Sequence, residues 1–322
     1  MSAAGSEGGH QRRIRVLWNP SAGRKAGIPT GSASRETLEA LLTRYELGGE
    51  LIETGSEEIA TDAAKDAVAR EYDMVVAAGG DGTIGLVGRV LLGTDTALGV
   101  LPLGSVMNIP RMLGVPRDLD AAAEILRAGH KRPIDVGVAN EHVFFEAASV
   151  GMHAAIFEEM AKADAGDLLA IGRSILVAFR YRPSRMTIEL DGGRQIETRA
   201  LVVAIANGPY MGAGFTVAPD ARLDDGVFDI RIFRHYSKSE LVRHFASIAF
   251  GRRAYAPKVV TERSARVRIS GARPLQARAD AQDLGMTPLT CTIVPRTLVV
   301  VTPALDIGHD GTGPHAQGSP AR

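Results

Sequence analysis

Apolar runs alternate with helical stripes over the first 140 positions. RIRVLW (13–18) predicts a short strand, and SRETLEALLTRY places Leu38, Leu41, Leu42 and Tyr45 at i, i+3, i+4 and i+7 on one helical face. ELIET (50–54) predicts a second strand. SEEIATDAAKDAVARE predicts a helix capped by Ser56, with Ile59, Ala60, Ala63, Ala67 and Val68 as its stripe. MVVAA (74–78) is apolar throughout, as strands buried on both faces of a parallel sheet are. Helix signals follow to about Leu92, then a strand in ALGVLPL (97–103), a helix in LDAAAEILRAG (119–129) and a strand in IDVGV (134–138). This alternation predicts a parallel sheet covered by helices.

Beyond residue 140 short strand patterns follow one another: HVFFEAASV, MTIEL, QIETRALVVAIAN, VFDIRIF, ARVRIS, LTCTIV and TLVVV. DGGR (191–194) reads as a hairpin loop. Helices are expected near 166–181 and 238–250. The predicted organisation is an α/β domain over 13–140 and a mostly antiparallel β domain over 141–303. Tails rich in Gly, Ser and Pro flank them at 1–12 and 304–322, with little to bury and disorder expected.

Composition narrows the function. Of 322 residues 45% are hydrophobic and 23% charged, as in a folded domain, and Lys+Arg and Asp+Glu both number 37. That balance, with 5% aromatics, argues against a nucleic-acid surface. One cysteine, Cys291, lies in an apolar run and is expected in the core. The lack of disulfide partners and of a signal-peptide pattern predicts a cytoplasmic location.

Four loops carry the candidate chemistry. NPSAG (19–23) follows the first strand, Thr54 and Gly55 end the second, GGDGT (79–83) follows the third, and PLGSVMN (102–108) follows the fourth. In a parallel sheet all four lie at strand carboxyl ends, along the edge where open α/β sheets bind ligands. Bare turns that open helices direct backbone N–H groups at a phosphate. Asp81 would repel that phosphate, so it implies a cation or a chemical role; alternatively Asp81 or Thr83 caps the helix that follows. No Walker A loop is present. Residues 80–85 spell GxGxxG, but the acid that a dinucleotide fold needs about 20 positions on is missing from Pro102-Leu103-Gly104-Ser105.

NPSAG, GGDGT and LPLGSVMNIPRMLGVP together resemble the diacylglycerol kinase catalytic domain, in the bacterial lipid-kinase branch that is similar to sphingosine kinases. The likeness continues through RPIDVG (132–137), ASVGMHA (148–154), APDARLDDGVFDIRIF (218–233) and the stretch 279–303. It implies an α/β nucleotide domain followed by a β-sandwich, ATP between them, and transfer of the γ-phosphoryl group to a lipid hydroxyl. It places the nucleotide on Asn19, Pro20, Ser21, Ala22, Gly23, Thr54, Gly79, Gly80, Asp81, Gly82, Thr83, Gly104, Ser105 and Asn108. Asp81 would organise Mg²⁺ against the phosphates. A structural Mg²⁺ would use the Asp225 carboxylate and the carbonyls of Arg222 and Val227; the plain alternative is an Asp-Gly turn.

The chain departs from the family pattern at three polar places. The DGE that supplies the catalytic acid/base is here Asp280-Ala281-Gln282, and glutamine accepts no proton as a carboxylate does. That leaves Asp280, with Asp283 beside it, as the substitute base. Gly85 and Leu86 stand where Asn and Glu are usual, and His153 where Asp is usual. Two alternatives follow: a nucleotide- and lipid-binding protein without turnover, or a NAD kinase-like enzyme. Leu241, Val242, Phe245, Ile248 and Ala249, beside Arg243, Arg252, Arg253 and Lys258, form an amphipathic pattern suited to the inner membrane surface or to packing on the β domain. The 168–183 stretch is similar. A homodimer is left open.

Overall fold

The computed structural model describes residues 12–25, 28–29, 31–157, 173, 176–177, 180–212, 214–234 and 259–304. The tails, the amphipathic 237–258 stretch and most of 166–181 lie outside them.

Strands Gly49–Glu53, Ile14–Trp18, Met74–Gly79 and Ala97–Pro102 lie side by side in that order and pair in parallel. The helices that alternate with and follow these strands are α1 (Arg35–Arg44), α2 (Glu57–Ala69), α3 (Asp81–Val90), α4 (Asn108–Met112) and α5 (Leu119–Ala128). Strands Met74–Gly79 and Ala97–Pro102 are buried at every position, which is why MVVAAG and ALGVLP carry no polar alternation. Helix α1 buries Leu38, Leu41 and Leu42 as its spacing dictates. In α2 the Ser56 side chain accepts the N–H of Ile59, as a cap should. Its buried face, however, is Ala60, Ala64 and Ala67, and Ile59 is 47% exposed. The small face of this helix, not its largest apolar residue, meets the sheet.

The β domain does not stand apart from this sheet. Strand Leu289–Val301 pairs with Lys131–Ala139 along most of its length; on its other edge it joins Arg266–Gly271 at one end and meets Ala97–Pro102 through Val300 and Leu98 at the other. Ser184–Leu190 and Gln195–Ala200 extend the sheet outward. LTCTIV and TLVVV, two strands by pattern, are one. The pairing is interrupted between Val294 and Leu298, where Arg296 takes a left-handed φ of 49° and gives its N–H to Asp135.

A second sheet runs Val259–Ser264, Phe228–Phe233, Val202–Ala206, Ala147–Gly151, Gln276–Ala279, Gln282–Met286, antiparallel throughout. Its inner face packs Val150, Ile205, Phe228 and Ile230 against Ile188, Ile269 and Cys291 of the first sheet. QIETRALVVAIAN therefore splits at Leu201: its alternating half lies at the edge of the large sheet and its apolar half at the centre of the small one. Cys291 is fully buried, and burial pushes its thiol far above the ordinary range, so it is a core residue. No helix among the described residues is long and apolar enough to cross a membrane.

Candidate active site

The carboxyl ends of the parallel strands open on a cleft of about 400 Å³ lined by Asn19, Ser21, Ala22, Thr54, Gly55, Ser56, Gly80, Gly82 and Thr83, among others. That volume suits a small-molecule ligand. Helices α2 and α3 both begin here, so two N-termini face one space. Ser56 caps the first. The second has Gly80 at its cap and no side-chain bond, so the N–H groups of its first turn are left to the cleft. No Lys or Arg is among the residues lining it.

The loops lock together without side-chain bulk. A Cβ on Gly104 would lie 2.9 Å from the Gly80 Cα, and one on Gly79 would lie 2.6 Å from the Thr83 side chain. The Asn19 amide donates to Thr83 Oγ1 at 3.2 Å while its oxygen accepts the Ser21 N–H at 2.9 Å. Pro20 lies in the same turn, and Gly23 closes it with a φ of 73°. The Thr54 hydroxyl is committed to the Trp18 carbonyl at 3.0 Å. Ser105 is exposed and its carbonyl accepts from Arg117, so it lies beside the cleft and not in its lining.

Asp81 does not cap its own helix. Its two oxygens accept the N–H groups of Asn108 at 3.0 Å and Ile109 at 2.8 Å, so it caps α4. This turns Asn108 away from the cleft and into the protein. Its amide donates to Glu146 Oε2 and to the Gly212 carbonyl, each at 2.7 Å, while its own oxygen has no partner.

Asp280 lies across from these groups at the end of strand Gln276–Ala279, with a left-handed φ of 46° that turns its carboxylate back on the chain. Both oxygens are used: Oδ2 accepts from Phe145 N–H, Oδ1 from Glu146 and Ala147 N–H. Partial burial outweighs those bonds and raises its carboxyl. Gln282 and Asp283 lie on the exposed edge strand Gln282–Met286, where Asp283 accepts the Gly285 N–H. Both are exposed, whereas Asp280 is turned inward on the 145–147 backbone.

Glu146 is the residue that pattern reading missed. It is 7% exposed, and burial together with the charges of Asp280 and Asp81 pushes its carboxyl well above the usual carboxylate range. The available signal was one acid inside the apolar run HVFFEAASV.

In the Asp225 loop, where the resemblance implies a structural Mg²⁺, protein groups meet the carboxylate. Arg263 pairs with its carboxylate, whose other oxygen accepts the Val227 N–H, and Arg222 pairs with Asp224. Gly226 donates to buried Asp135. No cluster of three or more metal-ligating side chains occurs among the described residues.

His153 bonds through Nδ1 to Ser149 at 2.9 Å and packs on Phe157 with ring centres 4.7 Å apart. Burial, then Arg278, holds its pKa down to about 4. The unfolded side chain protonates near about 6.5, so as pH falls from there toward 4 the unfolded state takes up a proton that the fold refuses. Stability contributed above pH 6.5 is lost across that window. The expected result is a smaller drop in Tm between pH 7 and 5 for His153→Gln than for wild type, measured by thermal melting.

The diacylglycerol kinase catalytic domain model matches residues 13–139, and the YegS C-terminal NAD kinase beta sandwich-like domain model matches residues 149–302. A diacylglycerol kinase of Bacillus subtilis (strain 168) is 30% identical over 302 residues, 91% of this chain and 97% of the relative. One of Staphylococcus aureus (strain MRSA252) is 28% identical over 300 residues, 91% and 93% of the two chains. The crystal structure of a diacylglycerol kinase from Bacillus anthracis str. Sterne superposes with a TM-score of 0.68 at 19% identity, over 91% of this chain and 97% of that one, which shows the shared fold. The chain belongs to the diacylglycerol kinase family of lipid kinases, phosphotransferases with an alcohol acceptor.

Proposed function

We propose that the protein transfers the γ-phosphoryl group of ATP to the free hydroxyl of a diacylglycerol-like lipid. The observation that carries this reading is the cleft where two helix N-termini and the glycine loops meet: it offers backbone N–H groups to phosphates and no cationic side chain. Such a site leaves part of the triphosphate charge to a metal ion. Mg²⁺ is ordinarily held by one or two carboxylates plus substrate phosphates. Asp81 fits, because each of its oxygens accepts a single N–H and keeps a second lone pair for the ion or its water. The ion would neutralise charge on the transferring group. Asn19, Ser21 and the 80–83 turn would orient the phosphates, and Asp81 would fix their counter-charge. The B. subtilis and S. aureus relatives are diacylglycerol kinases by name, which supports diacylglycerol as the acceptor.

Incubation with labelled ATP, Mg²⁺ and mixed micelles tests this. The expected product is a labelled lipid phosphate from diacylglycerol, with sphingosine and NAD poorer acceptors. ATP binding without any product would favour the turnover-free alternative, and labelled NADP a NAD kinase-like enzyme.

A further inference from the structure

We infer that the chain pairs with a second copy of itself along strand Gln195–Ala200, antiparallel, with Thr198 on the two-fold axis. This strand ends the large sheet: among the described residues only Ser184–Leu190 pairs with it, on one side. The hydrogen bond from the Leu190 N–H to the Arg194 carbonyl fixes which of its groups are used. Bonded and non-bonded pairs alternate along an antiparallel ladder, so Ile196 and Thr198 bond inward to Ile188 and Met186, their partners in the register. In keeping with this, the carbonyl of Arg185, between those positions and Ser184, accepts the Ala272 N–H on the far side. Gln195, Glu197 and Arg199 therefore turn their N–H and C=O groups outward, an open edge of the kind that templates a further strand.

Charge selects the occupant and the register. Only outward-facing positions can bond across a two-fold axis. An axis at Glu197 sets glutamate against glutamate, and one at Arg199 sets arginine against arginine. An axis at Ile196 gives Glu197 only Gln195. An axis at Thr198 sets Glu197 against Arg199 of the second copy and Arg199 against its Glu197, both as bonded pairs, with Thr198 facing Thr198 between them. Opposite charges and threonine pairs are favourable cross-strand neighbours.

A second observation, within one copy, points to the same partner. Arg185 stands directly opposite Arg199 in the register, and both are exposed. Like charges so placed are unfavourable. Neither Glu197 nor Arg199 enters an ion pair among the described residues. Glu197 of the second copy would lie on the other side of Arg199 from Arg185 and offset that repulsion. The other sheet edges offer no such match. In Gly49–Glu53 both charges are acids, Glu50 paired with Arg15 and Glu53 with Arg35. In Val259–Ser264, Glu262 is paired with Arg194 and Arg263 with Asp225. Gln282–Met286 carries one acid and no base.

The test is sedimentation velocity of the full-length protein, joined to cross-linking. Wild type is expected to shift from the mass of one protomer to that of two as its concentration rises to about 100 μM, an association of micromolar order. Glu197→Arg or Arg199→Glu alone turns both opposite-charge pairs into like-charge pairs and should weaken the dimer roughly tenfold or more. The double variant restores the pairs in exchanged order and should recover most of the wild-type affinity. Circular dichroism checks that each variant is folded. A non-bonded antiparallel pair holds its Cα atoms about 4.5 Å apart, within disulfide range, so Thr198→Cys should cross-link under mild oxidation. Gln195→Cys, on the same edge but away from the axis, should not. Cys291 is fully buried and gives no background. A wild type that stays monomeric at about 100 μM overturns the inference. So does a dimer indifferent to the single reversals or not restored by the double one, and so does Gln195→Cys cross-linking as fast as Thr198→Cys.

Discussion

Asp81→Asn is expected to lower phosphoryl transfer roughly 10²- to 10³-fold with the fold intact, the range seen when one electrostatic contact to a transition state is lost. The substitution keeps the shape of the side chain and removes its charge. Asparagine retains one oxygen, so it can still accept one of the two N–H groups that Asp81 takes from Asn108 and Ile109. The other N–H then meets an amide N–H, a loss of about 1 kcal/mol on the scale of helix caps. A pure capping role would therefore appear as a small fall in Tm with activity changed only a few fold. A role in holding the counter-ion appears as a collapse of kcat with Tm close to wild type. Initial rates at saturating ATP and Mg²⁺, set beside a melting curve, separate the two.

Gly104→Ala is expected to weaken ATP binding tenfold or more. Its Cβ would stand 2.9 Å from the Gly80 Cα, a backbone atom that cannot swing aside as a side chain does. The two loops are also tied by the Leu103 N–H to the Gly79 carbonyl at 2.9 Å, so the added methyl must part strands that a hydrogen bond holds together. Overpacking of this kind costs about 1–3 kcal/mol. Here it falls on the turn that opens α3, so both Tm and the ATP Kd should move. An unchanged Kd would mean that the approach of these loops does not shape the nucleotide site.

Much of this architecture is legible in local pattern. Periodicity places α1 and α2, Ser56 marks a helix start, and the continuous apolar run at 74–78 marks a buried parallel strand. The glycine loops are legible as a set because parallel strands bring their carboxyl ends to one edge. What local pattern misses is decided by partners distant in sequence. LTCTIV and TLVVV read as two strands because Pro295 and Arg296 interrupt the pattern, but the kink is held by Asp135, 161 positions away. Ile59 faces outward because α2 needs its alanine face for close packing. Asp280 reads as a spare base until its three N–H donors, more than 130 positions earlier, are seen. Glu146 gives no motif at all; only the fold sets it beside Asn108 and within the fields of Asp81 and Asp280.

The most direct measurement is a crystal structure with a non-hydrolysable ATP analogue and Mg²⁺. The expected density has its phosphates over the N-terminus of α3, within reach of the N–H groups of residues 80–83, beside Asn19 and Ser21, with the metal between the phosphates and Asp81. A nucleotide found elsewhere on the protein, or bound here with its phosphates pointing away from residues 80–83, would contradict the account.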